Sequence, residues 1–295
     1  METQNDVLQN PDSFMQIGDF VASTFLISAI SLLVVSIFLL VQFKSVPQRW
    51  KMAYLIGSMI PLIAALFTVF RTNYWITTMT NPIEFRFFDW FLTVPLMSLV
   101  FYYLLKPLGV SRWMVARLLV PTLWMLGFGY LGEALFPEQS VMWGIMGAIG
   151  FSVLIAIIIG EGFPKIFREG VDRYHRIGYV GLAILLPIGW SAYPIGYMTV
   201  PGNLLEGQIS VNTIAILYNL ADIFNKAGLA LGVAFIASRS KTEYDAPKVA
   251  PKRRPEAFSD KKPSRATDYL HTKSSNGFGE ENMFQWNRQF DRREE

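Results

Sequence analysis

The chain has 295 residues, 52% hydrophobic and 15% aromatic but only 17% charged, which is too apolar for an ordinary soluble domain of this length and points to a membrane. It contains no cysteine and only two distant histidines, His175 and His271, which excludes a disulfide framework and thiolate metal sites and leaves no zinc site to expect. The net charge of +3 is spread over short loops and the last fifth of the chain, and no nucleic-acid partner is expected from it.

The chain opens with METQNDVLQNPDSF, which carries acids and no Lys or Arg. It lacks the basic region of a signal peptide, so residues 1–16 read as an extracytoplasmic segment. Apolar runs long enough for about 20 residues of helix then follow. They lie at 17–42, 50–71, 84–106, 113–132, 141–163, 174–198 and 209–238. Seven spans joined by short, Pro- and Gly-punctuated connections predict an all-α membrane bundle in residues 17–238 with antiparallel neighbours. Basic residues follow the first, third, fifth and seventh runs, from Lys44, Arg49 and Lys51 through to Arg239 and Lys241. The opposite connections hold only Arg71, assigned here to the link between the second and third runs. Because Lys and Arg gather on the cytoplasmic side, the N-terminus is expected outside and the C-terminus inside a cell membrane. Residues 239–295 mix both charges with Pro and Ser, cannot bury a core, and read as a disordered cytoplasmic tail in which FQWNRQF is a candidate docking element.

Four charges interrupt hydrocarbon. FRFFDWFLTVPLM places Arg86 and Asp89 three residues apart in the third run, and LYNLADIFNKAG places Asp222 and Lys226 one turn apart in the seventh. The bland reading is a pair of ion pairs that fix helix packing. Intramembrane ionisable residues mark function by default, however, at a cost of a few kcal/mol each. A buried lysine can also form a Schiff base with an aldehyde. The protonated imine then needs carboxylates, which Asp89 and Asp222 offer, with Arg86 available to keep two acids from sitting unpaired. Trp90 lies beside Asp89, and GWSAYPIGY sets Trp190 and Tyr193 on neighbouring faces of the sixth run, where Pro194 should kink the helix. Both tryptophans fall in the interior of their runs, which favours a binding slot over an interfacial aromatic belt.

FRFFDWFLTVPL, GYLGEA, GWSAYPIGY and LYNLADIFNKAG, in this order and spacing, resemble the signatures of microbial rhodopsins, most closely the proteorhodopsin and xanthorhodopsin group. The resemblance spans nearly the whole seven-helix region and stops before the tail. It implies that Lys226 binds all-trans retinal as a protonated Schiff base, that Asp89 is the counterion and proton acceptor, and that Asp222 is the second carboxylate. Arg86 and Thr93 would belong to the proton pathway, and Trp90, Met97, Met125, Trp190, Tyr193, Pro194 and Tyr218 to the retinal pocket. It implies no enzymatic reaction. Family analogy further suggests a ring-shaped homo-oligomer such as a pentamer, and Gly147 and Gly150 are the small residues to set against the family's carotenoid-antenna position.

Two departures matter. The position eleven after the acceptor, a carboxylic proton donor in pumping members, is Val100, and the helix-two histidine of many proteorhodopsins is replaced by Phe67. Ser98 is too weak an acid to substitute as donor. The expected function is therefore a light-driven outward proton pump with a slow cycle. The alternative is a photosensor signalling through a partner or the tail, with a passive channel or inward carrier as a third option. An acidic acceptor argues against a chloride pump, and the third run lacks the Asn and Asp arrangement of sodium pumps.

Overall fold

The computed structural model describes residues 19–242. The N-terminal segment 1–16, nearly all of the tail, His271 and FQWNRQF lie outside the described residues. The helices are α1 (Phe20–Gln42), α2 (Lys51–Thr78), α3 (Ile83–Leu105), α4 (Trp113–Tyr130), α5 (Ser140–Ile166), α6 (Arg173–Trp190), α7 (Ala192–Tyr197), α8 (Val211–Asp222) and α9 (Gly228–Arg239). A π-helical turn, Leu131–Leu135, extends α4, and another, Ile223–Ala227, joins α8 to α9. Grouped as continuous rods, these make seven segments long and apolar enough to cross a bilayer, with α6 and α7 forming the sixth and α8, its π turn and α9 the seventh. The protein is a multi-pass membrane protein.

Local chemistry sets several boundaries. Asp19 caps α1 by accepting from Ala22 N at 2.9 Å, Asp172 caps α6 through Tyr174 N at 2.8 Å, and Ser210 caps α8 through Thr213 N at 3.2 Å. Pro194 has no N–H to return to Trp190 O, and the sixth rod breaks at Ser191, where the kink was expected.

The bundle is arranged for lipid outside and polarity inside. On α1, Ile27, Ile30, Val34, Phe38 and Val41 are exposed along one stripe, while Thr24, Ser28 and Ser36 are buried. Ser36 Oγ donates to Ser58 O on α2 at 2.9 Å, the small-polar packing typical of membrane helices. The third span is the most buried of the seven. Its Met97, Val100, Phe101 and Leu104 pack into one core with Tyr179 and Leu186 of α6 and Leu229 and Val233 of α9.

One expectation is corrected. The second helix does not end at residue 71 but continues to Thr78, so Arg71 lies inside the membrane-spanning rod and is fully buried. The extra turns hold because Trp75 packs on Phe25 of α1, ring centroids 5.9 Å apart, and because the guanidinium finds carboxylates inside the bundle.

Candidate functional site

Asp89, in the second turn of α3, and Asp222, at the end of α8, converge on the amine of Lys226. Lys226 Nζ donates to Asp89 Oδ2 at 2.6 Å and lies 3.1 Å from Asp222 Oδ1. Arg71 closes the figure from α2: Nη1 donates to Asp89 Oδ2 at 3.0 Å, and Nη2 lies 3.1 Å from Asp222 Oδ2 as an ion pair without hydrogen-bond alignment. The four side chains form a closed square of alternating charge. All are essentially inaccessible. Such charges are tolerated in a low-dielectric interior only because each has an opposite neighbour.

Each corner is positioned by its own helix. Thr93, one turn beyond Asp89, donates its hydroxyl to Asp89 O at 2.8 Å and lies 3.3 Å from Asp89 Oδ1. Thr68, three residues before Arg71, accepts a short hydrogen bond from Arg71 Nη2. Lys226 sits in the π turn, a local widening of the helix that often marks functional positions. There the neighbouring Asn225 approaches α6 so closely that a Cβ on Gly189 would fall 1.8 Å from Asn225 Oδ1. Tyr193 OH donates to Asp222 Oδ1 at 3.0 Å and accepts from Asn225 Nδ2 at 3.3 Å.

Arg86 stands apart from the square. Its Nη1 is 4.0 Å from Asp222 Oδ2, whereas Nε donates to Asn81 Oδ1 at 3.0 Å and Nη2 to Asn219 Oδ1 at 3.2 Å. Its guanidinium lies over the Tyr218 ring, 4.8 Å from the centroid. Arg86, expected to keep the two acids from sitting unpaired, thus pairs with Asp222 only at 4.0 Å and bonds two asparagines, while Arg71 makes the closer contacts to both acids.

Beside the square, a cavity of about 690 Å³ runs between α3, α4, α5 and the sixth span. Trp90, Met125, Trp190, Tyr193 and Pro194 line it, as do Phe151 and Glu133. Trp90 and Tyr193 meet edge to face at 4.9 Å where the cavity approaches the charges, and Phe151 stacks on Trp190 at 6.0 Å. Met97 and Tyr218 are buried beside this wall rather than in it, Tyr218 packing on Trp90 at 5.8 Å. Gly147 borders the cavity, but Gly150 is committed to packing, since a Cβ there would lie 2.9 Å from Met125 N and Pro121 O. The apolar aromatic cavity approaches the charge cluster through Trp90, next in sequence to Asp89, and Tyr193, which is bonded to Asp222; its lining fits a bulky apolar ligand, and Lys226 is not itself among the lining residues.

The comparisons with known proteins agree with this architecture. Residues 19–239 match the family described as "Bacteriorhodopsin-like protein". The chain belongs to that family. It is 31% identical over 216 residues to a blue-light absorbing proteorhodopsin of Gamma-proteobacterium Hot 75m4, covering 72% of this chain and 84% of that protein. It is equally 31% identical over 213 residues to a green-light absorbing proteorhodopsin of Gamma-proteobacterium EBAC31A08, covering 71% and 83%. The crystal structure of a blue light-absorbing proteorhodopsin from Med12 superposes with a TM-score of 0.63 at 27% identity, covering 75% of this chain and 98% of that one.

Proposed function

We propose that this rhodopsin is a light-driven outward proton pump that carries all-trans retinal on Lys226. The supporting observation is the 2.6 Å contact between Lys226 Nζ and Asp89 Oδ2 inside a closed charge cluster, which puts an ionisable acceptor directly on the nitrogen that would carry the proton. Retinal, when bound, supplies light absorption and a change of shape that reorients the Lys226 nitrogen. The residues of this chain do the rest. Trp90, Trp190, Tyr193, Pro194 and Met125 wall the slot, Asp89 takes the proton, and Thr93 holds the Asp89 side chain in place. Asp222, tied to Tyr193 and Arg71, remains as the fixed anion.

Resupply is the slow half of the cycle in this reading. Val100 is fully buried and apolar, and among the described residues Asp89 and Asp222 are the only carboxylates in the fully buried set. Toward the Leu105 end of α3 the buried imidazole is His175, whose Nε2 lies 2.9 Å from Leu104 O and whose Nδ1 lies 3.3 Å from Thr242 Oγ1. Water from that side must therefore reach Lys226. The N-outside orientation belongs to this proposal and rests on the basic residues gathered at the Leu105 end.

The same missing donor favours the second reading, a photosensor whose long-lived state signals through a partner or the tail. Illuminated cells or vesicles separate them. A pump acidifies the medium in light and loses the signal with a protonophore; the absence of any light-driven pH change would leave the sensor.

A further inference from the structure

Arg71 is the one member of the charge square that sequence patterns left in a loop. It is fully buried on α2, hydrogen-bonded to Thr68, and reaches Asp89 and Asp222 at 3.0 and 3.1 Å with the two nitrogens of one guanidinium. Without Arg71 the two carboxylates would share Lys226, with Arg86 no nearer than 4.0 Å to Asp222. With Arg71 included, Lys226 and Arg71 face Asp89 and Asp222, and the square closes neutral. Arg86 cannot take this part, since its two aligned hydrogen bonds go to Asn81 and Asn219 and its approach to Asp222 is 4.0 Å.

We propose that Arg71 is a positioning residue of the counterion complex, holding Asp89 and Asp222 ionised together and weakening the negative field they impose on the Lys226 nitrogen. The groups that face Asp89 are Arg71 from α2, Lys226 and Asp222 from the seventh span, and Arg86 on its own helix; Tyr193 stands behind Asp222, Glu133 borders the cavity on the α4 side, and α1 contributes no charge. Of these, Arg71 alone touches both acids from the side opposite Lys226. A cation so placed acts on colour. Carboxylates near the protonated nitrogen hold positive charge at that end of the polyene and raise the excitation energy, so an arginine that offsets them moves absorption to the red. It acts on pH response as well, because removing an opposite charge at this distance makes a carboxylate easier to protonate by about 1–3 pH units.

The inference rests on Lys226 as the retinal attachment, and the two fail differently. A wild-type protein that forms no visible pigment with retinal defeats the attachment. If pigment forms, absorption spectra of wild type, Arg71→Gln and Arg71→Lys across pH test Arg71. Arg71→Gln should absorb to the blue of wild type at alkaline pH and undergo its acid-induced red shift about 1–3 pH units higher, whereas Arg71→Lys should restore both towards wild type. If Arg71→Gln yields no folded pigment, Thr68→Val decides, since it keeps the charge but removes its anchor and should move the acid transition the same way by less. A variant that melts at lower temperature yet keeps the wild-type band and pH profile is what a purely structural arginine would give. That result, in Arg71→Gln or, failing it, in Thr68→Val, overturns the proposal.

Discussion

Replacing Asp89 with asparagine preserves shape and removes one charge from the square. At an effective dielectric constant of 20, gross attraction to Lys226 at 2.6 Å and to Arg71 at 3.0 Å comes to about 5–6 kcal/mol for each pair. Desolvation already offsets most of that in the native protein, so the net loss is set by leaving two buried cations short of a partner, on the order of 3–5 kcal/mol in total. The amide can still accept from one cation, and Asp222 still touches both, which keeps the loss near the lower figure. The optical effect has a definite sign. With Asp89 uncharged, the positive charge on the Lys226 nitrogen spreads along the polyene and the band moves to the red, and in Asp89→Asn it should stay there at every pH. Wild type should reach the same colour only in acid, when Asp89 takes up a proton. Spectra across pH, paired with thermal melting of the pigment, read both effects. An Asp89→Asn pigment with the wild-type band and the wild-type melting temperature would refute the assignment of Asp89 as counterion.

Lys226→Ala should give a correctly inserted protein that gains no visible absorption when retinal is added, and a retained pigment would place the attachment elsewhere. Met97, buried beside the slot and eight residues after Asp89, predicts a green-absorbing wild type, with Met97→Gln moved to the blue; relatives of both colours share 31% identity with this chain, so the measured band tests the residue rather than the kinship. Because Val100 cannot donate a proton, return of the proton to the Lys226 nitrogen should slow as pH rises and quicken with a small permeant acid such as azide. Val100→Glu should speed it and flatten the pH dependence, while fast, pH-independent recovery in wild type by flash photolysis would point to an unrecognised donor.

The seven rods were legible because hydrocarbon imposes a length on apolar runs, and the Asp222–Lys226 pair because four-residue spacing on a helix stacks side chains. Asp89 was legible as a candidate carboxylate from its place in hydrocarbon, but its assignment as the counterion came with the family resemblance, since nothing local in FRFFDWFL says which helix it will face. Arg71 was misplaced for a physical reason. Hydropathy treats an arginine as the end of a span, and its burial depends on two acids contributed by helices α3 and α8, a tertiary fact absent from its own neighbourhood. A signal existed nevertheless. Ala64, Thr68, Arg71 and Trp75 recur at spacings of four, three and four, a buried helical face that carries past the apparent end of the run.

The two arginines divide work that the sequence reading gave to one. Arg71 is fixed on both sides, by Thr68 of its own helix and by the acids. Arg86 is linked instead to Asn219, which continues to Thr24 Oγ1 at 2.9 Å, and to Asn81 in the link before α3. These contacts run from Asp222 towards the end of the bundle opposite Leu105. In the proposed pump cycle, a proton leaving Asp89 by that end would meet Arg86 among two asparagine amides and the Thr24 hydroxyl, with Glu133 the acid on the α4 side, while Arg71 would stay behind to balance Asp222. If Arg71 sets the electrostatics and Arg86 borders the exit, one could be tuned without blocking the other, which a single arginine serving both acids could not do.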